Sequence, residues 1–300
     1  MTKSSAFLVG LLIVMGAGWG ATMPLAKVAV SEGYRNFGII FWQMAIGAVF
    51  LGALLALRGK LPRFNFRQFV FCIYIALVGT ILANGASYQA AVHLPAGIMS
   101  IVIAAVPMIA FPIALALRLD RFRWLRLGGL IAGMLGVVIL ASPESLPDQK
   151  LSIWILVALI APTLYAVEGN SVAKLGTYGL DAVQVLFGAS LFGAVLTTPI
   201  ALWSGTWISP PANWNAPEYA ILFGSLIHAS VYASYVWMVG RAGPVFAAQV
   251  AYLVTGFGVL WSMVFLGETY TNGVWLALGL MLFGMFLVQP RNNQSLVVKD

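Results

Sequence analysis

Glu168 and His228 lie inside long apolar stretches, and around them other polar side chains recur at three- and four-residue steps. That spacing gathers each set on one helical face. One stretch presents Thr80, Asn84, Ser87 and Tyr88; another presents Ser225, His228, Tyr232 and Tyr235. A third offers Gln249, Tyr252, Gly256 and Ser262, and the first apolar stretch offers Gly16, Trp19, Gly20, Met23 and Lys27. Tyr165 and Glu168 share a face with Pro162. Faces of this kind suit non-covalent recognition: rings supply stacking area, and a few amides and hydroxyls orient a polar ligand. In a low-dielectric site a carboxylate pairs with a cation or takes up a proton. A histidine there donates or accepts a hydrogen bond and changes charge with small changes of surroundings. The candidate substrate-binding set is Trp19, Thr80, Asn84, Tyr88, Tyr165, Glu168, His228, Tyr232, Tyr235, Gln249 and Tyr252.

Plainer roles compete with this one. Asn84 or Gln249 can act as interhelical hydrogen-bond glue, and Glu168 can pair with Lys174. Lys27 and Lys174 read as snorkelling anchors, with the stem in the apolar layer and the head at its edge. Ser87 follows Gly85-Ala86 and, with His228 as base, would make an intramembrane nucleophile. Ala86-Ser87-Tyr88 recurs as Ala233-Ser234-Tyr235, however, which gives the serine a structural origin. An intramembrane serine hydrolase therefore stands only as the alternative from another class.

The elements that must position these faces are membrane helices. Hydrophobic residues make up 61% of the chain and charged residues 8%, against roughly 25% charged in soluble domains. A spanning helix needs about 20 mainly apolar residues. Ten windows qualify: 6–25, 37–57, 68–90, 97–117, 124–142, 152–172, 182–203, 217–239, 246–266 and 272–289. The first window has a basic start at Lys3 but no A-x-A cleavage pattern before a polar segment, so it is expected to be retained.

Ala-Ser-Tyr returns after 147 residues, and the same shift lays Ala26-Lys27 on Ala173-Lys174. Within one residue of that shift, Gly47-Ala48-Val49 falls on Gly193-Ala194-Val195, Asp120 on Glu268 and Gly136 on Gly284. The fold expected is an all-α membrane protein of ten transmembrane helices, built as two five-helix repeats at 1–144 and 145–300. Because five is odd, the second repeat is inverted, an arrangement that puts a binding site at the repeat interface near the bilayer midplane.

Orientation follows from the basic residues. With a cytoplasmic N-terminus, 13 of the 16 Lys and Arg fall inside and only Lys27, Arg35 and Lys150 outside, as the positive-inside rule requires. Both termini are then cytoplasmic and the location is the cell inner membrane, multi-pass. The net charge of +7 is thereby a topology signal, and nucleic acid is not an expected partner; a small molecule and the lipid bilayer are. Cys72 is the sole cysteine, so no intramolecular disulfide or cysteine metal cluster forms. No P-loop, H-E-x-x-H or G-x-S-x-G sequence occurs. No cofactor and no metal is expected.

Gly128, Gly129, Gly133 and Gly136 in the fifth window, with Gly279 and Gly284 in the tenth, read as close-packing surfaces. They hold the repeats together or form a weak dimer face, so the state expected is a monomer or weak homodimer. Pro24, Pro107, Pro112, Pro162 and Pro199 are expected kinks. Residues 142–151 form the midpoint linker. Trp207 and Trp214 mark the loop 204–216 as part of an interfacial aromatic belt or a lid.

Ten spans in two inverted repeats resemble the drug/metabolite transporter superfamily, its EamA-type members in particular. The local marks are Trp19-Gly20 through Lys27, Leu94-Pro95-Ala96-Gly97, and Leu266-Gly267-Glu268. Leu119-Asp120 replaces the Gly-Glu pair in the first half, and the arginine often seen in the second span is absent, with Gln43 nearby. The resemblance implies a secondary transporter working by alternating access. Cargoes in the superfamily include amino acids, nucleosides, sugar phosphates and cationic drugs. Lys27 is the only basic residue expected to approach the cavity from a span, which disfavours multiply anionic cargo. Tyrosines, Trp19, amides and hydroxyls suit zwitterionic and aromatic metabolites. The chain in this respect is similar to the aromatic amino-acid exporters of the superfamily.

Overall fold

Glycine, proline and charge break the apolar stretches, and the described residues form ten helices. The computed structural model describes residues 3–142, 151–210, 212–242, 247 and 249–288. The helices are α1 (Lys3–Ser31), α2 (Asn36–Leu57), α3 (Phe66–His93), α4 (Ala96–Ala116), α5 (Trp124–Leu140), α6 (Ser152–Leu175), α7 (Ala182–Trp203), α8 (Ala216–Ala242), α9 (Val250–Leu266) and α10 (Asn272–Val288). No strand occurs among the described residues. Helices α1 to α4, α6 and α7 are long and apolar enough to cross a membrane, and α5, α9 and α10 are shorter apolar helices. Linker residues 143–150 lie outside the described residues, as do 243–246 and the tail with Arg291 and Lys299.

Helices α3 and α7 start alike. Asn65 and Asp181 each accept the backbone N–H three residues on at 2.9 Å. Gln68 and Gln184 each accept the capping residue's own N–H at 3.0 Å, closing a capping box. The same glutamines reach across the molecule: Gln68 donates to Tyr178 O at 3.0 Å and Gln184 to Lys60 O at 2.9 Å. Loops 58–65 and 176–181 are thereby braced against each other.

The expected kinks divide into two groups. Pro107 follows a break at Ala104–Ala105, where the backbone tightens to three-residue bonds of 3.0 Å. Pro162 follows the break at Leu159. Neither proline can donate to the carbonyl four residues back, so the helix yields just before it. Pro24, Pro112 and Pro199 sit inside uninterrupted helices. Helix α3 has no proline, yet Ala76–Leu82 winds as a π-helix around Gly79. Such local widening is frequent at functional sites.

Packing pairs helices from opposite halves. Helix α2 packs on α7 and α5 on α10; α1 packs on α8 and α9, while α6 packs on α3 and α4. The glycines expected to allow close approach do so between α5 and α10. A Cβ on Gly129 would stand 2.6 Å from Gly284 O and 2.7 Å from Leu287 Cβ, and one on Gly136 would stand 2.7 Å from Met281 Cγ. Gly128, one residue from Gly129, has open space. Gly129→Ala should therefore lower stability by about 1–3 kcal/mol through overpacking, whereas Gly128→Ala should not. Thermal unfolding of the two variants in detergent checks this; equal midpoints would contradict the packing.

Candidate functional site

All ten helices contribute to the lining of a cavity of about 690 Å³, α1, α3, α4 and α8 most of all. Nine of the residues picked out by their spacing line it: Trp19 from α1, Thr80, Asn84 and Tyr88 from α3, Tyr165 and Glu168 from α6, and His228, Tyr232 and Tyr235 from α8. Gln249 and Tyr252 do not. The described part of α9 begins at Val250, which puts Gln249 at its N-terminal boundary, and the expected start at 246 lies outside the described residues. Tyr252 packs against the apolar core, and its hydroxyl is buried without a hydrogen-bond partner.

One wall is aromatic. The Trp19 ring lies 5.7 Å from Tyr235 and 6.1 Å from His228, centroid to centroid. The buried Trp19 indole N–H has no hydrogen-bond partner. Ser87 also lines the cavity, but no hydrogen bond joins it to His228.

The polar part of the lining includes a directed hydrogen-bond chain. Tyr165 Oη donates to Asn84 Oδ1, and Asn84 Nδ2 donates to Gln43 Oε1 at 3.1 Å. Tyr88 Oη donates to the same Gln43 oxygen at 2.9 Å. Asn84 thus does link helices, as the glue reading of it holds, but within the cavity lining. Gln43 was absent from the candidate set. The signal for it is slight: it is the one side chain bearing an amide or charge between Asn36 and Arg58.

Glu168 stands in this lining without a hydrogen-bond or ion-pair partner among the described residues; the ion pair there is Arg126–Asp120. The possible pairing with Lys174 is not formed, and Lys174 is exposed. The Glu168 carboxylate occupies the space left by the missing side chain of Gly79. A Cβ there would stand 2.6 Å from its Oε1, so a larger residue at 79 would push the carboxylate aside.

Lys27 corrects another expectation. It does not line the cavity; Nζ donates to Ala91 O at 2.7 Å, Leu94 O at 3.0 Å and Val92 O at 3.3 Å, at the C-terminal end of α3. Glu268 accepts from the first amides of α4, Ala96 N at 2.7 Å and Gly97 N at 3.1 Å. Tyr270 Oη donates to the same carboxylate. A cation on helix-end carbonyls and an anion on helix-start amides both complement the helix dipoles. The three sequence marks around Lys27, Pro95 and Glu268 are therefore one clamp on the α3–α4 junction. The basic residue that does line the cavity is Arg126, buried, paired with Asp120 and 5.3 Å above the Phe111 ring.

Loop 204–216 packs onto α2: Trp42 Nε1 donates to Ile208 O at 2.9 Å, and Trp207 lies 4.7 Å from Phe41. Beside it Tyr34 Oη donates to Glu218, and that bond pushes the Tyr34 phenol up to about 12. Burial, reinforced by its bond to Glu268, pushes the Tyr270 phenol up as well.

A bundle of long apolar helices around an aromatic, amide-lined cavity defines a multi-pass membrane protein of the transporter class. The chain belongs to the EamA-like transporter family, which it matches over residues 6–142 and 152–289. It is similar to the inner membrane transporter YedA of Escherichia coli (strain K12), 26% identical over 94% of this chain and 90% of that protein. It is also similar to the WAT1-related protein At1g43650 of Arabidopsis thaliana, 24% identical over 89% of this chain and 86% of that one. A crystal structure of a chain 17% identical shares the fold, with a TM-score of 0.61 over 96% of this chain and 98% of its own.

Proposed function

We propose that the protein is a secondary carrier of the inner membrane that exports amino acids, aromatic and other neutral ones, by alternating access. The observation that carries this reading is the composition of the cavity. An unpaired carboxylate, Glu168, shares its lining with an amide cluster and with tyrosine and tryptophan rings. The carboxylate suits the ammonium group of an amino acid, the amides its carboxylate, and the rings its side chain. Arg126 is paired with Asp120, which leaves no free cation among the described lining residues for a multiply anionic cargo.

The architecture proposed is ten spans in two inverted repeats, 1–144 and 145–300, with both termini cytoplasmic. The two separate family matches support this division. So does the pairing of helices, since each contact of α1 or α2 with the second half has its counterpart between α6 or α7 and the first. YedA, named an inner membrane transporter, supports the location. The α5–α10 glycines are used within the chain, which favours a monomer over a dimer built on that face.

Purified protein in liposomes should take up labelled phenylalanine and tryptophan saturably, and uptake equal to empty liposomes for every amino acid would remove the reading. A second reading, export of cationic amines or drugs, is favoured by the lone negative charge of Glu168. Nucleosides or sugars are a further cargo class compatible with aromatic walls. Competition by a quaternary ammonium or by uridine, with none by amino acids, would select these instead.

A further inference from the structure

Gln43 is held in one orientation by bonds that all arrive at the same atom. Tyr165 donates to Asn84 Oδ1, which turns the Asn84 amide nitrogen toward α2. That nitrogen and the Tyr88 hydroxyl both donate to Gln43 Oε1, so the oxygen has both its lone pairs engaged. Gln43 Nε2 carries two N–H donors, and no described residue accepts from them. Nor is it sealed in: Gln43 lines the cavity, and Nε2 is not among the buried polar atoms without a partner. A donor group fixed through the bonds of Asn84 and Tyr88 to Oε1, on a residue that lines a mainly apolar cavity, is a receptor for an acceptor group. The two N–H bonds diverge from one nitrogen, so one of them can meet a carboxylate oxygen or a carbonyl.

We infer that Gln43 is the specificity-determining residue that binds the cargo's carboxylate, so that the carrier prefers amino acids to the corresponding amines. The assignment rests on the amino-acid reading above and sharpens it. Gln43 takes the anionic end and Glu168 the cationic end, with Tyr165 and Asn84 as positioning residues. An amine lacking the carboxylate satisfies Glu168 but leaves the Gln43 donors desolvated and unpaired. A site built to hydrogen-bond a group rejects the analogue without it strongly, for that reason.

Gln43→Glu is the discriminating variant. It keeps an oxygen for Asn84 and Tyr88 to donate to, and replaces the N–H pair by a second oxygen. In proteoliposomes the wild type should transport labelled phenylalanine at least about tenfold better than labelled phenethylamine. In Gln43→Glu that preference should fall at least about tenfold, or reverse, because the new carboxylate repels one cargo and attracts the other. Gln43→Met, which removes the donors without adding charge, should lose phenylalanine transport and keep that of phenethylamine. Gln43 acting only as interhelical glue would lower both cargoes together and leave their ratio unchanged, and that result overturns the assignment. A wild type that moves phenethylamine as well as phenylalanine overturns it without any variant, while leaving amino-acid transport standing. A wild type that moves phenethylamine but no amino acid removes the amino-acid reading itself.

Discussion

Glu168→Gln is expected to cut transport by at least about tenfold while folded yield and the thermal midpoint stay near those of wild type. The carboxylate has no protein partner, so the neutral isostere breaks no ion pair. It removes the one unpaired charge among the described lining residues, and a cargo ammonium that loses its counter-ion in a low-dielectric site loses several-fold to many-fold in affinity. Gly79→Ala tests the same site from the other side. Its methyl would collide with the carboxylate at 2.6 Å or less, so the variant should resemble Glu168→Gln without altering charge. His228→Gln, on the aromatic wall, should also lower transport or change its pH profile. A Glu168→Gln protein that fails to fold would make the carboxylate structural, and normal transport with a normal pH profile in both substitutions would confine the site to the tyrosines and amides.

The second large effect is expected at the α3–α4 junction. Lys27→Met strips three carbonyls of their donor, and Glu268→Ala strips two amides and Tyr270 of their acceptor. Each buried polar group left unpaired costs about 1–3 kcal/mol, so either variant should lose folded protein and show a clearly lower unfolding midpoint. Lys27→Arg, which keeps charge and donors, should recover part of the loss. A Lys27→Met protein as stable as wild type would show that the lysine is an interfacial anchor after all.

The contrast between these two lysines and carboxylates shows where sequence reasoning reaches. Nine of the eleven candidates line one cavity because polar side chains in an apolar stretch are few and their period is rigid. Helical spacing could not tell Lys27 from Lys174. Both close the same repeated dipeptide near a span end, yet one caps α3 and the other faces solvent. That difference depends on where a separate helix ends, which local pattern does not encode. Gln43 was passed over because a single amide makes no face, and its place becomes legible only when Asn84 and Tyr88 meet it from α3. Gln249 and Tyr252 share the same spacing but lie outside the cavity lining. The π-helical turn has no sequence signal beyond Gly79, which it sets against the Glu168 carboxylate.

Counterflow in proteoliposomes tests the carrier with this cavity most directly. Vesicles loaded with unlabelled phenylalanine and diluted into trace labelled phenylalanine should accumulate label transiently above equilibrium, as only a carrier that reorients a bound cargo can do. Glu168→Gln should abolish the overshoot, and Gln43→Glu should transfer it from phenylalanine to phenethylamine. A wild type that equilibrates label without any overshoot, or shows none with every amino acid loaded, would contradict the account.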